Sequence, residues 1–179
     1  MPYILVSTNK TDWIICVIIT YLFANSEIVI SNLLHAQTLS FWYYSPKHKF
    51  NMKIISWNVN GIRAIHKKRG FIDFLTSMDA DIVCVQETKV HSENVLPAQL
   101  IRLKRYNSYF SFNQIKKGVH GVAVYSKQQA INVEKKIGVE SIDNEGRILI
   151  LHFADMILFN VYCPATIDYE RLNYKVEFM

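Results

Sequence analysis

Two short apolar runs, each closed by a polar signature, constrain this chain more than any other feature. The first is Lys53-Ile54-Ile55-Ser56-Trp57-Asn58-Val59-Asn60-Gly61, and the second is Asp81-Ile82-Val83-Cys84-Val85-Gln86-Glu87-Thr88-Lys89. Runs this short, apolar and β-branched predict strands buried on both faces. Each ends in side chains able to hold a hard metal ion and the phosphate that the ion polarises.

The segments around these strands fit an α/β order. The spacing predicts a strand at 53–59, a turn at Asn60-Gly61, and a helix at 67–78 with Phe71, Phe74, Leu75 and Met78 on one face. A second strand covers 81–86, and a shorter, Pro-interrupted helical piece lies near 92–103, with Ser92 and Glu93 at its start. A third strand is Gly121-Val122-Ala123-Val124-Tyr125. Residues 147–162 read as a hairpin turning near Ala154-Asp155, and helical character resumes at Tyr169. These elements support a sheet-rich α/β fold.

Residues 1–51 are unlike the rest. Trp13 to Ala24 is an uncharged apolar run of twelve residues, short of the ~20 that a spanning helix needs. Three readings stay open for this hydrophobic N-terminal extension: an artefactual or dispensable stretch from a misplaced start upstream of a true start at Met52, a signal or anchor, and a folded appendage, in that order of preference. Asp12 and a lone Lys10 fit a signal peptide poorly, and Trp42-Tyr43-Tyr44-Ser45-Pro46 reads as the join. Residues 52–179 form the second predicted unit.

The net charge of +5 sits mostly in that second unit, which holds 17 Lys+Arg against 13 Asp+Glu. Basic residues cluster at Lys67-Lys68-Arg69, Arg102 with Lys104-Arg105, Lys116-Lys117 and Lys135-Lys136. Such clusters favour a polyanion, although solvated helix faces share the pattern. Cys16, Cys84 and Cys163 are odd in number and widely spaced, which predicts free thiols rather than a disulfide framework or zinc site.

Glu87 is the foremost candidate for chemistry. A carboxylate at a strand end can face a cleft, and Mg²⁺ commonly takes one or two protein carboxylates and fills its shell with water and phosphate oxygens. The alternative is a surface glutamate paired with Lys89. Asn58 can accept from metal-bound water or donate to phosphate, whereas Asn60-Gly61 is explained by a turn alone. Tyr162, before Cys163-Pro164, can address a phosphate or assist proton movement, with packing as its alternative. Arg147 reads as either an ion pair or a phosphate contact, Arg171 as a helix-face residue, and His120 as a phosphate or water contact.

At this point the motifs show a resemblance. Residues 52–175 closely resemble the N-terminal half of the exonuclease III / AP endonuclease family, within the endonuclease–exonuclease–phosphatase superfamily. The carrying segments are Met52 to Ala64, Ala80 to Lys89, Gly121 to Lys127, Glu145-Gly146-Arg147, Val161-Tyr162-Cys163-Pro164, and Arg171 to Lys175. The resemblance implies a four-layer α/β sandwich, truncated to about its first half. It implies Mg²⁺- or Mn²⁺-dependent cleavage of DNA phosphodiesters in base excision repair, on abasic or 3′-blocked duplex, with no obligate protein partner. Glu87 then looks like the metal ligand with Asn58 beside it, and Tyr162 like the catalytic-site tyrosine. Lys89, Arg63, Arg147 and Arg171 look like supporting or DNA-contacting groups, while His120 is read as a DNA contact from its place in the loop alone.

The sequence departs from the family at Ala165, where many relatives carry Asn, and at Val119-His120, where many carry an aromatic residue. The family's second half adds an Asp-x-Asn motif and a late Asp-His pair that do not occur here, so this chain alone is expected to have little or no nuclease activity. Competing readings are a secreted or membrane-tethered DNase I-like or sphingomyelinase-like phosphodiesterase, with membrane contact through 1–51, and a non-enzymatic DNA-binding remnant. The preferred expectation for location is cytoplasmic and nucleoid-associated.

Overall fold

Alternation of side chains along the predicted strands requires a covering layer on each face of the sheet that carries the two signatures. The computed structural model describes residues 3–8, 14–20, 38–44, 51–154, 156–164 and 169–178. Among the described residues the strands are β1 (Tyr3–Thr8), β2 (Ile14–Thr20), β3 (Thr38–Tyr44), β4 (Asn51–Asn58), β5 (Ile82–Gln86), β6 (Asn107–Ser111), β7 (Val122–Ser126), β8 (Asn132–Glu134), β9 (Ile148–His152) and β10 (Met156–Tyr162). The helices are α1 (Ile62–Arg69), α2 (Phe71–Met78), α3 (Ala98–Ile101), α4 (Glu140–Asp143) and α5 (Tyr169–Phe178), with a 3₁₀ turn at Glu93–Val95.

The strands form two five-stranded sheets, ordered β3-β4-β5-β7-β6 and β1-β2-β10-β9-β8. In the first, β4 and β5 run parallel in the register Ile54 to Ile82 and Asn58 to Gln86, so both signatures close at the same end of the sheet. β3 pairs antiparallel with β4, placing Trp42, Tyr43 and Tyr44 opposite Lys53, Met52 and Asn51. In the second sheet, β9 and β10 are the predicted hairpin, closed by Phe153 N–H donating to Met156 O at 2.8 Å. β2 lies parallel to β10. Residues 14–20 of the apolar N-terminal run are thus strand, while Trp13 and residues 21–24 lie outside the described residues. Among the described residues, no helix is long and apolar enough to cross a membrane.

Three apolar clusters show the layering. The outward residues of the first sheet, Ile55, Trp57, Val83, Val85 and Tyr125, pack under Phe71 and Leu75 of α2 and Leu100 of α3. Its inward residues, Ile54, Ile82, Cys84, Val122 and Val124, meet Leu149, Leu151, Met156 and Leu158 of the second sheet. The outward side of that sheet, Ile148, Ile150, Ile157 and Phe159, packs with Ile142 of α4 and Phe178 of α5. Helix, sheet, sheet, helix is the four-layer α/β sandwich expected. The facing sheets exclude water from one core and give the site strands a rigid base.

The expected helix at 67–78 is instead two helices, starting earlier, at Ile62. Gly70 adopts φ 58°, ending α1 and starting α2, because continuing the helix would forbid the corner. The predicted apolar face survives in α2. Phe71 and Leu75 are fully buried, and the Phe71 and Phe74 rings lie 5.5 and 4.7 Å from Trp57. The Pro-interrupted piece resolves into the 3₁₀ turn and α3, with Pro97 at the N-cap between them. Cys84 and Cys163 are buried and joined in no disulfide, and the Cys16 side chain lies outside the described residues.

Candidate metal and phosphate site

The inward positions of three strands become polar toward one end of the sheet interface. On β4 the series is Ile54, Ser56, Asn58; on β5 it is Ile82, Cys84, Gln86; on β10 it is Leu158, Asn160, Tyr162. Glu87 follows directly on β5. Its carboxylate therefore emerges where the core gives way to polar side chains, almost fully buried yet hydrogen-bonded, as a buried charge must be.

Both sheets hold that carboxylate. From β4, Asn58 Nδ2 donates to Glu87 Oε1 at 2.7 Å, and from β10, Tyr162 Oη donates to the same oxygen at 2.9 Å. The other oxygen, Oε2, faces the Lys89 ammonium at 3.2 Å. Lys89 Nζ also donates to Asn60 Oδ1, and Asn60 N–H donates to Asn58 Oδ1 at 3.1 Å. Asn60, which sequence alone explains as a turn residue, thus belongs to the cluster.

The loops around Glu87 are fastened backbone to backbone. Gly61 N–H donates to Glu87 O at 2.7 Å, Ile62 N–H to Thr88 O at 3.0 Å, and Lys89 N–H to His120 O at 2.8 Å. Asn60, Glu87, Lys89 and His120, at φ 48°, 53°, 55° and 54°, occupy the left-handed region that L-residues rarely visit. Such strain persists only where surrounding contacts enforce it, and it concentrates at functional sites. Gly121, at φ 84°, must lack a Cβ because one would stand 2.3 Å from Thr88 Oγ1.

A second network braces Tyr162 from behind. Arg147 is buried, with its Nε donating to Glu145 Oε2 and its NH1 donating to Tyr162 O at 3.1 Å. Its NH2 donates to His120 Nε2 at 2.9 Å, and the guanidinium lies 5.0 Å from the centre of the Tyr162 ring. Arginine only donates, so His120 Nε2 accepts and the imidazole is neutral. Burial, then the Arg147 charge, hold its pKa below the ordinary histidine value. Burial, then the Glu87 charge, push the Tyr162 phenol well above its usual range, so it remains a protonated donor.

The structure thus brings Glu87, Asn58, Tyr162 and Lys89 into direct contact and sets Arg147 and His120 against Tyr162. Arg63 is exposed on the first turn of α1, just past Gly61. Arg171 lies on α5, with its side chain outside the described residues. Sequence reasoning left out Ser56, Gln86 and Asn160, the polar residues beneath the site. Their signal was the period-two spacing of Ser56-Asn58 and Asn160-Tyr162 inside apolar runs.

The donors suit a hard cation. Glu87 Oε2 and Asn60 Oδ1 converge on a positive group, the Lys89 ammonium, and the available atoms are carboxylate and amide oxygens of the type that Mg²⁺ and Mn²⁺ prefer. Among the described residues, no group of three or more His, Cys, Asp or Glu side chains gathers around a metal position.

Comparison with known proteins gives the lineage. Residues 55–178 match the endonuclease/exonuclease/phosphatase family. Over 127 residues the chain is 41% identical to an exodeoxyribonuclease of Bacillus subtilis, covering 70% of this chain and 48% of that protein. It is 42% identical over 127 residues to the DNA repair nuclease APEX1 of Danio rerio, covering 70% of this chain and 40% of the relative. Among solved structures it is similar to an AP endonuclease from Archaeoglobus fulgidus, with a TM-score of 0.60 and 32% identity, covering 71% of this chain and 48% of that one. The chain spans about half the length, or less, of the curated relatives it matches. With the two signatures side by side at one end of the sheet, this chain belongs to the endonuclease/exonuclease/phosphatase family.

Proposed function

We propose that this chain carries the Glu87–Tyr162 side of a divalent-metal-dependent DNA phosphodiesterase of base excision repair, of the AP endonuclease or 3′→5′ exonuclease type. One observation carries the reading: a buried carboxylate held by donors from both sheets, its second oxygen turned to a cation. The exodeoxyribonuclease and repair-nuclease relatives favour DNA as the substrate.

In this reading Glu87 holds Mg²⁺ or Mn²⁺, with Asn58 beside it. When bound, such an ion supplies positive charge to a phosphoryl oxygen and to the leaving oxygen. Asn58 and Tyr162 fix the carboxylate in one orientation, so the site needs little rearrangement when charge develops. The Tyr162 proton stays on the phenol at ordinary pH and is donated to Glu87 Oε1. Arg147 keeps the tyrosine ring and its backbone in place. Lys89, half-exposed beside Glu87, and Arg63 offer positive charge to the phosphate backbone. A cytoplasmic, nucleoid-associated location follows from the same reading.

Binding is the decisive readout, because it tests Glu87 directly as a ligand. The test is a titration of the purified chain with Mn²⁺, followed by loss of the free-ion electron paramagnetic resonance signal, with Glu87→Gln alongside. Saturable binding weakened at least about tenfold in the variant is expected. Equal affinity in both proteins would remove Glu87 as the ligand and end this reading.

A further inference from the structure

Below Glu87 and Tyr162, the two sheets are joined by side-chain amides where their interface turns from apolar to polar. Gln86 and Asn160 are both fully buried, and Gln86 Nε2 donates to Asn160 Oδ1 at 2.8 Å. Asn160 Nδ2 donates to Ala123 O at 2.8 Å and to Val85 O at 3.3 Å. Backbone carbonyls only accept, so the Asn160 amide has one allowed orientation, its oxygen toward Gln86. Gln86 must then present its NH₂, whose second proton goes to Ser56 Oγ at 3.1 Å. Each assignment forces the next.

We infer that Gln86 and Asn160 act as a positioning clamp, setting the separation of the two sheets so that Glu87 and Tyr162 meet at hydrogen-bonding distance. Gln86 immediately precedes Glu87 on β5, and Asn160 lies two residues before Tyr162 on the same face of β10. The clamp therefore sits one step below the Tyr162–Glu87 contact, on the same two strands. An apolar pair would fill this volume but would supply no directional bond between β5 and β10 at this step. A fully bonded amide pair has one length and one register. Hydrogen-bond partners behind metal ligands commonly tune affinity by about 10–100-fold.

The inference rests on the proposed role of Glu87 only in its metal arm. Two readouts are taken on the full chain: exchange protection of the Asn58 side-chain amide by ¹⁵N NMR, since that amide donates to Glu87, and Mn²⁺ affinity. Asn160→Leu, confirmed as folded by circular dichroism at the working temperature, is expected to lose Asn58 protection at least about tenfold and Mn²⁺ affinity about 10–100-fold. Ser56→Ala should shift both readouts less, in the same direction, and decides the matter if Asn160→Leu does not fold. A lowered thermal midpoint with both readouts unchanged would reduce the pair to a structural role and overturn the inference. If the parent itself does not bind Mn²⁺, the proposed function fails while Asn58 protection still decides the clamp.

Discussion

Removing the Tyr162 hydroxyl while keeping its ring tests how the site is held together. Tyr162→Phe deletes a buried 2.9 Å hydrogen bond to Glu87 Oε1 and leaves the 2.7 Å bond from Asn58 to the same oxygen. A hydrogen bond to an ionised acceptor contributes about 1.5–3 kcal/mol, against about 0.5–1.5 kcal/mol for a neutral pair. Tyr162→Phe should therefore cost about 1.5–3 kcal/mol in the parent and about 0.5–1.5 kcal/mol in a Glu87→Gln background. Urea unfolding of the four proteins gives the cycle, with a lowered midpoint at constant m marking a change in stability alone. The expected coupling is roughly 1 kcal/mol or more, as found for residues in contact. Additivity within about 0.3–0.5 kcal/mol would refute the reasoning, because the hydroxyl would then not be stabilising the Glu87 charge.

Two further outcomes follow from the geometry. Gly146→Ala should destabilise more than Gly118→Ala in urea unfolding: both require left-handed backbone, at φ 64° and 77°, but a Cβ at 146 would stand 2.3 Å from the Phe112 carbonyl carbon, whereas at 118 it meets open space. The backbone strain common to both is about 1–3 kcal/mol, and equal losses would refute the close approach. His120 has its folded pKa lowered by burial and by Arg147. The unfolded chain therefore binds the proton more readily, and the contribution of His120 is complete above about pH 6.5, its unfolded value. That contribution is lost as pH falls from about 6.5 through the folded pKa, so across that interval the parent should lose stability faster than His120→Gln. Identical pH profiles of urea midpoints for the two proteins would count against the neutral His120–Arg147 contact.

The strands carrying the site were legible because their signals are local. The apolar runs ending in Asn58 and Glu87, the hairpin that places Tyr162, and the Phe71–Leu75 face all follow from residue type and spacing over fewer than ten positions. The break at Gly70 was also available locally, as glycine after a basic helix end, but the apolar period running into α2 hid it. β6 was missed for a different reason. Asn107-Ser108-Tyr109-Phe110-Ser111 has little strand signal of its own and is extended because β7 pairs with it.

Sequence by itself determined that two buried strands close at Asn58 and at Gln86, with Glu87 directly after, that Tyr162 ends a third, and that these segments carry the motifs of one family. Each of those statements concerns one segment, where period and residue chemistry suffice. Only the tertiary structure decided which groups touch: Tyr162 with Glu87 across the two sheets, Lys89 with Asn60, and Arg147 turned inward against Tyr162 and His120. It also decided that Gln86 and Asn160, 74 residues apart in the chain, share a hydrogen bond. Hydrogen bonds between distant segments depend on how sheets pack and in what register, which is set by the whole core rather than by any one stretch of chain.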